Sequence, residues 1–268
     1  MSNNNLTRKA TAALLLATFG LSSAFTVPGE PQPTYLTSIS SSGGRTTVEY
    51  NADKTISRLV LVHKGESGDY NEVIKPVYEN GRLVKTMASD GESADEVNTT
   101  LEYNPQGQVT KISYYRNEAV YAYDSLAYNE AGQLTIRHLY TLQASKGTFD
   151  NSGYQEYTWD NAGDIVRQDN YGKQPGFSKF LRLSSISYRY DNKVNSRQQH
   201  PELRWVLELQ PANLSAHNVV AETLTSARSS RAVTSTCTYT YAGGKFPLKA
   251  TYTSDADREI VKMEFTRL

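Results

Sequence analysis

Cys237 is the only cysteine in 268 residues, so no intramolecular disulfide can form. A domain of this length can bury enough apolar surface to do without one. Net charge is missing too: 28 basic residues balance 28 acidic ones, which leaves no electrostatic footprint for nucleic acid. No apolar run approaches the 18 or so residues of a transmembrane helix. The four histidines, His63, His138, His200 and His217, never fall within four residues of one another, which excludes a paired metal-ligand spacing. There is no Gly-x-Ser-x-Gly elbow and no glycine-rich phosphate loop. Neither a metal nor a cofactor is expected. Nine prolines and 17 glycines are too few for a fibrous or low-complexity chain, and 10% aromatics are too many for a disordered one.

The amino terminus reads as an export signal. Met1–Lys9 is polar and ends in two bases, Ala10–Leu21 is almost wholly apolar, and Ser22-Ser23-Ala24 offers small residues for cleavage after Ala24. Phe25 stands where a lipoprotein would need cysteine, so no lipid anchor is expected. Removing residues 1–24 leaves 244 residues, in which 26 basic residues face 28 acidic ones. Residues 25–45 are expected to form a linker or first strand, and 46–268 a single domain. The expected location is the periplasm, the cell surface or the medium.

Tyrosine is what the chain has in excess, 19 against seven phenylalanines. Much of it belongs to a repeat: an aromatic residue, Asn or Asp, a nearby Gly, then an aliphatic residue. The unit reads Tyr103-Asn104-Pro105-Gln106-Gly107-Gln108-Val109, Tyr128-Asn129-Glu130-Ala131-Gly132-Gln133-Leu134 and Trp159-Asp160-Asn161-Ala162-Gly163-Asp164-Ile165. Shorter forms surround Gly81 and Gly244, and Tyr50-Asn51 and Tyr190-Asp191 keep the front half alone. The aromatic positions 50, 78, 103, 128, 159, 190 and 241 lie 28, 25, 25, 31, 31 and 51 residues apart. Such a period marks a repeated supersecondary unit.

The unit is that of a β-hairpin. Alternating runs such as Thr238-Tyr239-Thr240-Tyr241 favour a half-buried pleated surface. The Asn or Asp side chain can bond its own backbone, and the Gly at 81, 107, 132, 163 and 244 supplies a positive φ. Seven units imply a dozen or more antiparallel strands. So large a sheet must curl or close, and closure removes its edges. The expected fold is an all-β up-and-down meander forming a closed or half-open barrel. A propeller needs longer units, and helical periodicity is poor throughout; Asn218–Arg228 is the nearest to a helix, with Thr223 and Thr225 against it. Charges on both faces of the strands, as around Lys111 and Arg167, favour a water-soluble barrel over a lipid-facing one.

The Tyr-Asn/Asp-x-x-Gly-x-aliphatic unit resembles the Tyr-Asp repeats of large bacterial Rhs-type proteins, whose strands wind into shells. It is more similar to a family of secreted Gram-negative bacterial proteins of unknown function described as having a porin-like fold. Tyr190-Asp191-Asn192-Lys193-Val194-Asn195 resembles that family's Tyr-Asp-x-Lys-x-Asn segment. Asn213-Leu214-Ser215-Ala216-His217-Asn218 resembles its Leu-Ser-Lys-Asn-Asn segment, departing at Ala216 and His217. The resemblance implies a barrel and carries no catalytic motif.

For function, Tyr offers a flat apolar ring with a polar tip at low entropic cost. Tyr114, Tyr115, Tyr121, Tyr123, Tyr140, Tyr154, Tyr157, Trp159 and Tyr171 are the candidates to line a barrel mouth and hold a glycan or an amphiphile. The competing reading is that they form structural cross-strand pairs. Cys237 alternates with threonines and reads as a small buried side chain. Asp124-Ser125-Leu126 resembles bacterial periplasmic O-glycosylation sites, at Ser125. The acids Asp90, Glu92, Asp95 and Glu96 fall in a polar loop. Three functions stay open: a non-enzymatic envelope barrel that binds a ligand or partner, a structural or adhesive envelope protein, and a hydrolase with dispersed carboxylates.

Overall fold

The computed structural model describes residues 34–65, 68–174, 177–229, 231–243, 245–255 and 257–268. The export signal, its cleavage point at Ala24 and Phe25, and the turn residue Gly244 lie outside the described residues. Sixteen strands follow one another: β1 (Thr34–Ser41), β2 (Gly44–Tyr50), β3 (Ile56–His63), β4 (Tyr70–Glu79), β5 (Arg82–Ser89) and β6 (Glu96–Tyr103). Next come β7 (Val109–Arg116), β8 (Ala119–Tyr128), β9 (Leu134–Gln143), β10 (Thr148–Trp159) and β11 (Ile165–Lys173). Then β12 (Phe180–Val194), β13 (His217–Ser226), β14 (Val233–Ala242), β15 (Phe246–Ser254) and β16 (Asp257–Arg267). Each pairs antiparallel with its chain neighbours, and β1 pairs with β16 to close a barrel. Residues 34–45, set apart in the sequence as linker or first strand, are thus wall. The segment weighed as a short helix is β13, where Thr223 and Thr225 suit the pleat.

The repeat has a structural cause. A register shift falls directly before each of Tyr50, Tyr78, Tyr103, Tyr128, Trp159, Tyr190 and Tyr241. Each is a β-bulge, with one extra residue on the returning strand. Two residues three apart therefore face inward, such as Val109 with Ile112, Leu134 with Arg137 and Ile165 with Gln168. The repeat aliphatics Leu83, Val109, Leu134 and Ile165 are all buried, Ile165 completely.

Five of the seven repeat aromatics bind the unit before them. Tyr50 Oη donates to the Leu36 carbonyl at 2.7 Å, Tyr103 to Leu83 at 2.6 Å and Tyr128 to Val109 at 2.6 Å. Trp159 Nε1 donates to Leu134 at 2.7 Å and Tyr190 Oη to Ile165 at 2.6 Å. Beyond the aromatic, Asn104 and Asn129 accept from the backbone N–H of Gln108 and Gln133, both at 2.9 Å. Gly81, Gly107, Gly132 and Gly163 take φ of 73°, 82°, 77° and 86°. All these turns lie at one end of the barrel.

That end is stoppered. Between β12 and β13, residues 195–216 turn into the barrel as a 3₁₀ turn (Ser196–Gln199) and two one-turn helices, α1 (Leu203–Val206) and α2 (Pro211–Leu214). Leu203, Val206, Leu209 and Leu214 are buried in the same core as the inward wall residues. Asn195 Nδ2 donates to the carbonyls of Ala212 and Ser215 at 2.7 and 3.0 Å. Ser215 Oγ accepts from the Ile165 N–H at 3.0 Å and donates to Tyr190 Oη at 2.9 Å. The His217 N–H and Nδ1 meet the two oxygens of Asp164 at 2.9 and 2.8 Å. Asp191 accepts from the N–H of Lys193 and of Asn218 and from the Tyr241 hydroxyl. The two segments that carry the family resemblance are the two ends of this plug.

The outer wall carries charge along the strands. Glu49 pairs with Arg58 at 2.7 Å, Glu102 with Lys111 at 2.8 Å and Arg167 with Asp169 at 2.8 Å. A lipid-facing barrel needs an uninterrupted apolar band there. Among the described residues no helix is long and apolar enough to cross a membrane.

Candidate functional site

The nine candidate aromatics divide between the two faces of the wall, so they do not form one row at the mouth. Tyr114, Tyr157 and Trp159 face inward. Tyr115, Tyr121, Tyr123, Tyr140, Tyr154 and Tyr171 face outward, because their strand partners include outer-wall residues such as Glu156 and Asp169 on alternate positions. Four of these rings are turned to one another. Tyr123 stacks on Tyr140 with centroids 4.4 Å apart, and Tyr154 on Tyr171 at 4.4 Å. Phe149 and Phe180 close edge-on against Tyr123 and Tyr154, and Lys111 Nζ sits 5.2 Å from the Tyr123 centroid. Rings whose faces are covered by neighbours stabilise the sheet as cross-strand pairs.

The inward set belongs to a polar belt across β7 to β12. Tyr114 Oη donates to Asp124 at 2.7 Å, and Arg137 meets the same carboxylate at 2.7 Å. Burial opposes the Arg137 charge, but Asp124 beside it more than offsets this and raises its pKa. Arg137 Nη1 also donates to the plug carbonyl of Leu209 at 3.2 Å. Tyr157 Oη donates to Gln155, which donates on to Asn170, which donates to Ser184. Burial pushes the Tyr157 hydroxyl up to about 12. Every member has a partner, so the belt rigidifies the wall and braces the plug.

The opposite side of the lumen differs. A cavity of about 410 Å³ opens beside the plug, lined by Ile39, Thr46, Leu61, Arg197, Tyr252 and Glu259. A narrower pocket continues it past Arg197, Tyr252 and Val261 to Tyr239 and Glu222. Glu222 faces inward between Tyr188 and Ser235, and it is exposed to the lumen. No hydrogen bond or ion pair reaches it among the described residues. Its surroundings desolvate the carboxylate and raise its pKa. Toward the open end, Leu224 and Val233 pair in register and are 40% and 36% exposed. Leu224 also pairs with inward Ile186.

The remaining candidates take structural places. Cys237 is buried, and burial raises its thiol pKa, away from a reactive thiolate. Ser125 sits mid-strand on the outer wall, in register with Lys111 and His138. Asp90 accepts two backbone N–H groups of its own turn, which hold its carboxyl down at about 2. Asp95 pairs with Lys75 at 2.8 Å. No group of three or more His, Cys, Asp or Glu suited to a metal occurs among the described residues. The plug and Glu222 escaped the sequence reading. Glu222 left one trace, a lone acid at an inward position of the run Ala221-Glu222-Thr223-Leu224.

No family model matches the chain. No curated protein matches it by sequence. Among solved structures it is similar to a porin-like protein from Bacteroides uniformis, with a TM-score of 0.55 at 12% identity over 89% of this chain and 99% of that one. A porin-like protein from Bacteroides vulgatus matches with a TM-score of 0.43 at 12% identity, over 88% of this chain and 100% of that one. The first likeness, with the topology described above, makes the chain a closed, antiparallel, sixteen-stranded barrel of porin-like fold.

Proposed function

We propose that this is an exported, non-catalytic barrel of the bacterial cell envelope that holds a ligand, an amphiphile or a glycan, in its lumen. One observation carries the reading: the lumen is plugged at one end and, at the other, exposes large apolar side chains, Leu224 and Val233, above a carboxylate, Glu222, without a partner among the described residues. Apolar surface left open inside a concavity marks a binding site. The charged outer wall supports a water-filled compartment over a bilayer. The hydrolase reading gains nothing from Asp90 or Asp95, which serve a turn and an ion pair on the outer wall. An adhesive role through a free strand edge has no edge to use, since the described strands close on themselves.

Titration with the neutral fluorescent amphiphile N-phenyl-1-naphthylamine tests this. Saturable binding of one probe per chain, weakened at least about tenfold by Val233→Asp, is the expected result. Non-saturable adsorption, or saturable binding indifferent to Val233→Asp, refutes it.

A further inference from the structure

We propose that the lumen selects an amphiphile with a cationic head, its ammonium held at Glu222 and its apolar body against Leu224, Val233 and Ile186; this rests on the lumen-binding reading above. The geometry is graded along β13. Leu224 and its partners Ile186 and Val233 form an apolar stretch of wall toward the open end. Two residues deeper, on the same face, stands Glu222. Two residues span about 7 Å of strand, the separation of a head group from the middle of a short alkyl chain. Tyr188 flanks Glu222 on β12, and Tyr239 and Tyr252 line the same pocket. The aromatic faces of Tyr239 and Tyr252 can attract a cation there.

The charge argument decides the head group. Several charges elsewhere inside the barrel are answered. Asp124 has Arg137, Asp164 has His217, and Asp191 has two N–H donors and a hydroxyl. Arg197, a plug cation that lines the same pocket, has its guanidinium drawn to Asn213 Oδ1 at 2.7 Å. Glu222 is the one carboxylate lining that pocket, it is open to the lumen, and no donor reaches it among the described residues. A carboxylate so placed is best matched by a cation brought with the ligand. An anionic head would meet Glu222 as a like charge.

Calorimetric titration of the full chain with octylamine, octanol and octanoate near neutral pH tests the proposal. Octylamine should bind at least about tenfold more tightly than octanoate, and Glu222→Gln should erase that preference while leaving octanol affinity unchanged. Glu222 has no partner to lose, so the variant folds; Glu259→Gln should keep the preference. Equal affinity for the amine and the acid, or a preference that survives Glu222→Gln or vanishes in Glu259→Gln, overturns the proposal. Octanol or naphthylamine binding that persists in that case leaves the lumen-binding reading standing. Absence of binding by all four probes removes both.

Discussion

The two ends of the barrel are built from the same strands and differ in almost everything else. At the plugged end, repeat aromatics, buried aliphatics and the side chains of Asn195, Ser215, Asp164 and Asp191 knit plug to wall. At the open end, irregular connections join the strands, and Leu224, Val233 and Tyr252 stay solvated. A polar group buried without a partner costs far more than the same group in water. At the plugged end most of these buried groups are therefore partnered, His200 Nε2 being an exception, while the open end keeps its side chains in water. Stability and binding occupy opposite ends of one cylinder.

Substitutions can break that contrast. Asn195→Ala strands two plug carbonyls, so it should cost about 2–4 kcal/mol in chemical denaturation. A loss below about 1 kcal/mol would show that the plug does not bear on the fold. Ile165→Ala at the plugged end should cost about 3 kcal/mol, and Leu224→Ala at the open end under about 1, since only the first leaves a closed cavity. Equal costs would erase the distinction. Tyr128→Phe removes the bond to Val109 and should cost about 1 kcal/mol, while Tyr154→Phe on the outer wall, where the ring stacks on Tyr171, should stay within about 0.5.

The smallest expected effect concerns pH. The folded-state pKa of Glu222 is raised by desolvation, so the folded chain holds this proton more tightly than the unfolded one. Stability then falls as pH rises from the ordinary glutamate range through the raised value. Glu222→Gln should be the more stable form above that window, and its advantage should vanish below the ordinary glutamate pKa. Denaturation midpoints of both forms across the acid range check the sign; an advantage that grows toward low pH contradicts it.

The wall was legible in the sequence because a hairpin is local. Turn residues such as Gly107 and Gly132 sit beside the aromatic they serve, and alternation marks each strand. The bulges were hidden, since Leu134 and Arg137 break strict alternation and face the same way only after one residue is looped out. The plug was hidden for another reason. Helices of four residues have no period to detect, and Leu203 or Leu214 reads as core only once a surrounding cylinder exists. The faces of the tyrosines were hidden as well. Which face Tyr154 or Tyr157 takes depends on the phase of its strand, which the irregularity between Asn151 and Gly153 shifts.

The bond from five of the repeat aromatics to the unit before them has an evolutionary reading. Tyr103 needs only Leu83, and Tyr128 only Val109, so the instruction passes between adjacent hairpins and contains no count. A gene duplicated within its own reading frame by one unit would yield a hairpin already able to grip its predecessor and be gripped by its successor. Such a wall can lengthen or shorten by whole modules without rewiring. What such a change would strain is the stopper: Asn195, Asp164 and Asp191 fit it to one circumference. Circumference is thus inherited through the plug, and the wall follows.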